Sequence, residues 1–215
     1  MENSMIPQHQ SKGKPRTFDR EAVLKKALGV FWKRGYEPAS IAELCEAMEV
    51  NPPSVYAAFG NKAQLFMEAV NHYENVYWND AWERLEDEPD VRKAMAGFFR
   101  DAAVILTSQD APCGCMVVLG AANVSKDSQD VNDALKALRE EGKECFLVRL
   151  KRGVADGEFS EGVDIDTLAS TLNTMFHGMS IQARDGVSHE ELERVAAVAM
   201  TLIPPAPARP KRHSA

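Results

Sequence analysis

Apolar residues recur at three- and four-residue intervals along almost the whole chain, the repeat of helices with one buried face, and no strand alternation or internal repeat interrupts it. Asp19, then Val23, Ala27, Val30 and Phe31, predict a first helix running to Arg34 with Gly35 as its C′ residue. Ile41, Leu44, Cys45 and Met48 predict a short second helix behind Ser40, and Val55 and Phe59 form the apolar face of a third. From Lys62 a long fourth helix carries Leu65, Phe66, Ala69, Val70, Tyr73, Val76 and Tyr77, then Trp82 and Leu85, and Pro89 closes it. A fifth spans Asp90 to about Leu106 with Val91, Met95, Phe98, Phe99, Ala102 and Ile105 inward, ending in the turn from Ser108 to Pro112. Cys113 to Asn123 is apolar nearly all round and predicts a buried central helix. A long helix starts at Asp127 or Ser128, buries Ala134, Leu138, Phe146, Leu150 and Val154, and stops at Asp156-Gly157. Helices over 164–184 and 188–202 complete an all-α chain of about nine helices, which Pro204, Pro205 and Pro207 terminate.

The start of the third helix is marked three times. Asn51 has a side-chain oxygen able to cap free amides of the first turn. Pro52 suits the first helical position, where a missing N–H costs nothing, and it pushes Asn51 into the extended backbone an N-cap needs. Only Glu49 and Val50 separate this helix from the second, with Val50 placed to plug the angle between them. So tight a junction is either a helix-turn-helix, which presents its second helix to the DNA major groove, or an ordinary helical hairpin. The outward residues Ser54, Ala57 and Ala58 are small enough to enter a groove, and Tyr56 and Lys62 flank them as phosphate donors, which favours the first reading.

Charge changes the picture once it is divided. The 215 residues carry a net charge of −7, but residues 1–65 hold nine Lys/Arg against seven Asp/Glu, leaving 16 against 25 for the rest. A basic head on an acidic body suits a protein that meets phosphate with one end. Residues 1–17 read either as a floppy polar tail or as a basic arm, with Lys14 and Arg16, that reaches along the DNA. The remaining divisions are the helix-turn-helix segment over 18–66, a helical body over 67–204, and a disordered basic tail over 205–215. No apolar run approaches the ~18 residues of a membrane span, and the N-terminus lacks the apolar stretch of a secretory signal. Four cysteines without framework spacing fit a reducing cytoplasm.

The run FDREAVLKKALGVFWKRGYEPAS, followed by VYAAFGNKAQLF, resembles the N-terminal domain of the TetR/AcrR family of transcriptional regulators from Phe18 to about Val70 without a gap. The resemblance implies an all-α fold: an N-terminal three-helix helix-turn-helix domain and a C-terminal helical bundle for ligand binding and dimerisation. It further implies a homodimer on a palindromic double-stranded DNA operator, most simply a repressor released by a small-molecule effector. Ser40, Asn51, Ser54, Tyr56 and Lys62 would then touch phosphates or groove edges, phosphate contacts setting register and base contacts carrying sequence. Two departures stand out. Glu49 occupies the turn position the family usually gives to Gly, which places a side chain in left-handed backbone at about 1 kcal/mol. Pro52-Pro53 replaces a polar-small pair and removes two amides from a helix start that otherwise binds phosphate. With no Arg or Gln in the third helix, specificity falls to Ser54, to thymine-methyl contacts of Pro53 and Ala57, and to the arm.

In the body, Leu168, Leu172, Met175, Phe176 and Met179 line one face and Leu192, Val195, Ala199 and Leu202 the next. Such stripes either cover their own core or, as the resemblance implies, build a four-helix dimer interface. Trp78, Trp82, Phe98, Phe99, Met116, Met175, Phe176 and His177 are core residues or the lining of an effector pocket between helices. Cys113-Gly-Cys115 admits three readings: buried small hydrophobes, an oxidant or electrophile sensor with Cys113 activated at a helix N-terminus, or soft-metal ligands. The stretch APCGCMVV is similar to one TetR branch, which favours a structural Cys115 and leaves the thiol-responsive switch as the alternative regulator. No phosphate loop, metal-spaced His/Glu set or nucleophile-base pair supports an enzyme, so no metal or cofactor is expected.

Overall fold

The computed structural model of the protein describes residues 19–108 and 111–205. The basic arm with Lys14 and Arg16, and all of the tail but Pro205, lie outside the described residues. Among the described residues all regular structure is helical.

The head is built by local caps. Helix α1 (Arg20–Arg34) starts where the Asp19 carboxylate accepts from the Ala22 amide, and it ends at Gly35, whose φ of 82° only glycine adopts easily. It buries Val23, Leu24, Ala27, Leu28, Phe31 and Trp32, while Val30 is half-buried. Helix α2 (Ile41–Met48) is capped by Ser40, whose Oγ accepts from the Glu43 amide. Glu49 then takes φ 58°, the left-handed turn expected of it, and Lys26 holds its carboxylate at 2.8 Å. Helix α3 (Pro52–Phe59) follows, and its buried Val55 and Phe59 set its one inward face. Helix α4 (Lys62–Tyr73) opens with a capping box between Asn61 and Gln64 and packs along α1.

Helix α4 does not stop at Tyr73. A π-helical segment, Glu74–Trp78, continues it into α5 (Asn79–Asp87), with the Asn79 amide reaching back five residues to the Glu74 carbonyl. The extra residue in the turn rotates the side chains beyond it, so Val76, which the periodicity places inward, is 56% exposed. Helix α6 (Val91–Leu106) packs on α5 and on α10 (His189–Ala199). Helix α8 (Gln129–Ala155) packs on α9 (Ile165–Arg184). Counting α4, the π-segment and α5 as one rod, and including α7 (Met116–Leu119), nine helices are present among the described residues.

Two expectations are corrected. The buried helix expected over 113–123 is only the single turn α7. Gly114 at φ 86° breaks the run on one side, and on the other the Gly120 carbonyl accepts from the Tyr36 amide at 2.6 Å. In α8 the buried stripe is Val131, Leu135, Phe146 and Leu150, with Ala134 and Leu138 half-buried, because a 27-residue helix wraps around its neighbours. Val154, on the outward side of the last turn beside buried Gly153, is 47% exposed. The stripes on α9 and α10 face their own core: Leu168, Leu172, Phe176, Met179, Leu192 and Ala199 are buried within the chain. The apolar residues these helices leave outside are Ile181, Val198 and Leu202.

Candidate DNA-binding surface and effector cavity

At the head, the Asn51 oxygen accepts from both the amide and the hydroxyl of Ser54, at 2.9 and 2.8 Å, which fixes the first turn of α3. Asn51, Pro52, Pro53, Tyr56 and Ala57 are exposed together, Tyr56 at 48%. Ser54 is half-buried and so is Ala58, whose carbonyl takes the Arg20 guanidinium; Ala58 therefore belongs to the packing more than to the outward surface. Arg20 also grips Glu68 at 2.6 Å and lies 4.6 Å from the Phe59 ring, tying the starts of α1 and α4 to the end of α3. Lys62 is half-buried: its ammonium donates to the Glu37 carbonyl at 3.2 Å and sits 4.5 Å from the Tyr36 ring. Burial lowers its pKa, while the neighbouring Glu37 acts the other way. The arrangement aims a capped, small-surfaced helix outward with hydroxyl, amide and ammonium donors around it.

In the body, a cavity of ≈ 20 Å³ lies against the π-segment, room for about one water. Four of the eight residues predicted for a pocket line it: Trp78, Trp82, Phe176 and His177. The other four do not. Phe98 and Phe99 are buried behind it in an aromatic cluster, with Phe98 4.4 Å from the Trp82 ring and 4.9 Å from Phe146. Met116 is fully packed, and Met175 lines a separate surface groove on α9 with Thr171 and Thr174. Three polar residues without a periodic signature, Glu74, Arg139 and Asn173, complete the wall. Helical spacing marks a polar residue as outward, so it does not mark these. Burial, opposed by a hydrogen bond from Trp82, pushes the Glu74 carboxyl up to about 7. Burial and then Arg139 lower the pKa of His177. The Arg139 guanidinium donates to the Val117 carbonyl at 2.9 Å.

The cysteine readings separate here. Cys115 lines the cavity but is buried, and burial and then Glu74 push its thiol up to about 12, the opposite of an activated nucleophile. Cys113 is half-buried and lies before Gly114, not at a helix N-terminus, which corrects that expectation. Among the described residues no group of three His, Cys, Asp or Glu could hold a metal ion.

The head and the cavity are joined by long-range hydrogen bonds. The Trp32 indole donates to the Gly114 carbonyl at 2.8 Å, the Cys115 amide to Ser180 Oγ at 2.8 Å, and Arg184 to the Trp32 and Lys33 carbonyls. The end of α1 is thus latched to the segment that walls the cavity.

These features define a class: a helix-turn-helix reader carried on a helical body with an internal site. The family comparisons agree. The family described as "Bacterial regulatory proteins, tetR family" matches residues 23–69, and the "Tetracyclin repressor-like, C-terminal domain" matches residues 92–199. The chain belongs to the TetR family and is a DNA-binding transcriptional regulator. It is 37% identical over 199 residues to the HTH-type transcriptional repressor ComR of Escherichia coli strain K12, covering 91% of this chain and 93% of that one. The repressor BdcR of the same organism is 28% identical over 197 residues, covering 91% and 95%. A cysteine mutant of the TetR family regulator CifR, complexed with 26bp double-strand operator DNA, shares 42% identity and a TM-score of 0.85, over 89% of this chain and 100% of that one.

Proposed function

We propose that this chain is a homodimeric repressor that binds a palindromic DNA operator through α3 and is released by a small molecule in the body cavity. The division is the one read from the sequence, with 18–66 reading DNA and 67–204 sensing and dimerising. The protein acts in the cytoplasm, and none of its chemistry is catalytic. The observation that carries the reading is the latch. The outward helix α3 and the cavity share one rod, α4 to α5, and the cavity-wall segment bonds to Trp32 of α1 at Gly114 and to Tyr36, just after α1, at Gly120. Two copies would place their α3 helices in successive major grooves, about one DNA turn apart. The dimer face falls to Ile181 on α9, Val198 on α10 and Leu202 just beyond it, all exposed. An effector that fits one spacing of the reading helices better than the other shifts affinity for DNA, and DNA shifts effector affinity by the same factor.

The DNA contacts are tested with fragmented genomic DNA to recover an operator, then with Tyr56→Phe and Lys62→Ala in binding titrations across salt. Both variants should weaken binding to all sequences alike, and Lys62→Ala should reduce the salt slope by about 1. A change confined to sequence preference would show that these side chains read bases instead.

A further inference from the structure

We propose that the effector taken by this cavity is a compact organic cation, a protonated amine on a flat apolar body, with the Glu74 carboxylate as its counter-charge. The inference rests on the reading of the cavity as the effector site and names the chemistry of what fills it.

Glu74 is short of positive charge. Burial raises its carboxyl, the like charge of Glu141 adds to that and a hydrogen bond from the Trp82 indole opposes both, and none of these influences is a cation. Arg139 also lines the cavity but is committed elsewhere: it bonds the Val117 carbonyl, and its charge acts on His177 and Cys115 rather than on Glu74. A carboxylate in that position is matched by an ammonium group brought by the ligand.

The walls suit the remainder of such a molecule. Trp78 and Phe176 meet edge to face at 5.1 Å, and Trp82 and Phe176 at 6.4 Å, so three aromatic rings border the cavity beside Glu74. Tryptophan faces attract cations, and more strongly where water is excluded.

The way in has the same sign. Trp82 lines both the inner cavity and an outer groove of ≈ 510 Å³ between α5 and α8. That groove carries Glu83, Glu86, Glu141 and Glu144. Its two arginines, Arg149 and Arg152, are turned onto the backbone carbonyls of Glu86, Glu88 and Pro89. An acidic groove with apolar walls concentrates cations and repels anions. A site of ≈ 20 Å³ admits nothing larger than water as it stands, so Trp82 must swing toward the groove to open it. Gly142 lets the indole lie close against α8, since a Cβ there would already stand in van der Waals contact with it at 3.5 Å. Glu74 and Trp78 sit at the two ends of the π-segment, where a change between five- and four-residue hydrogen bonding turns both side chains together.

Three molecules with one ring and different heads test this: 2-phenylethylammonium, 2-phenylethanol and phenylacetate, followed by quenching of tryptophan fluorescence in the full-length protein and by operator binding. The amine should quench saturably and bind about tenfold or more tighter than either partner, with affinity lost in Glu74→Gln and retained in Glu74→Asp. Equal or tighter binding of the alcohol or the acid overturns the inference, as does the absence of saturable quenching by the amine up to about 10 mM. Should Glu74→Gln fail to give a helical spectrum, the matched series on the unaltered protein decides alone. Amine binding that leaves operator affinity unmoved upholds the ligand class and overturns the coupling in the functional reading. Loss of all operator binding in the ligand-free protein overturns that reading and leaves the ligand series intact.

Discussion

Helix α3 and the cavity-wall segment 113–120 are of the same length, and they are held in opposite ways. In α3 both ends are set locally: Asn51 caps the start, Pro52 occupies the first position, and Gly60 ends the helix with its amide on the Tyr56 carbonyl. The cavity wall has one helical turn and no side-chain cap. Its shape comes from partners 22 to 82 residues away, Arg139, Ser180 and Trp32. A surface that must fit DNA has its helix ends fixed by its own residues, while a wall that must respond to a ligand is shaped by bonds that connect it to the rest of the molecule. Local caps make a geometry; long-range bonds make a coupling.

The largest expected effect breaks the wall. In Gly114→Ala the new Cβ would stand 2.7 Å from Leu119 Cδ1 and 2.9 Å from the Ser180 carbonyl oxygen, at a φ of +86°. Strain and overpacking together should destabilise the protein by about 3–4 kcal/mol, read from a urea midpoint. A loss under about 1 kcal/mol would mean the wall is loosely held.

Charge sharpens the contrast next, because α3 has no ionisable cap and the cavity has Glu74. The folded carboxyl titrates at about 7 against an ordinary 4.5, so the folded state keeps the proton to higher pH than the unfolded chain does. Its contribution is fully present below pH 4.5 and is lost as pH rises through 7. The stability difference between the native protein and Glu74→Gln should therefore change by about 3 kcal/mol between about pH 4.5 and about pH 8. A flat difference would place the carboxylate in contact with water.

Trp32→Phe tests the latch with a smaller change. It leaves the Gly114 carbonyl without its donor and should cost about 2 kcal/mol. It should also reduce the effect of any effector on operator affinity, which distinguishes a coupling bond from simple packing. Smallest is Asn51→Ala, expected at about 1 kcal/mol of stability for the lost cap. Its loss of operator affinity should be larger than that figure, since the first turn of α3 then frays where it meets the groove.

The head could be read from the residues because its signals are short-range: Asp19, Ser40, Asn51 and Gly35 all do in the structure what their types and spacing predict. Even the strained Glu49 is where the pattern puts it. The cavity could be read only in part. Its aromatics stood out as large apolar residues at helical spacing, yet Phe98 and Phe99 pack behind it, because periodicity separates inside from outside but does not separate a core from a cavity. Glu74 and Arg139 were hidden for the converse reason, being polar residues whose neighbours, not their spacing, decide whether they face water.

Helix identity, helix ends and the outward face of α3 follow from interactions within about four residues, and the order of amino acids is sufficient for those. Which apolar stripes meet, where the π-segment displaces Val76, and how a run as apolar as 113–123 unwinds into a latch depend on residues far apart in the chain. Packing and the satisfaction of buried polar groups act on the whole assembly of helices at once, so no single stretch carries the information for them.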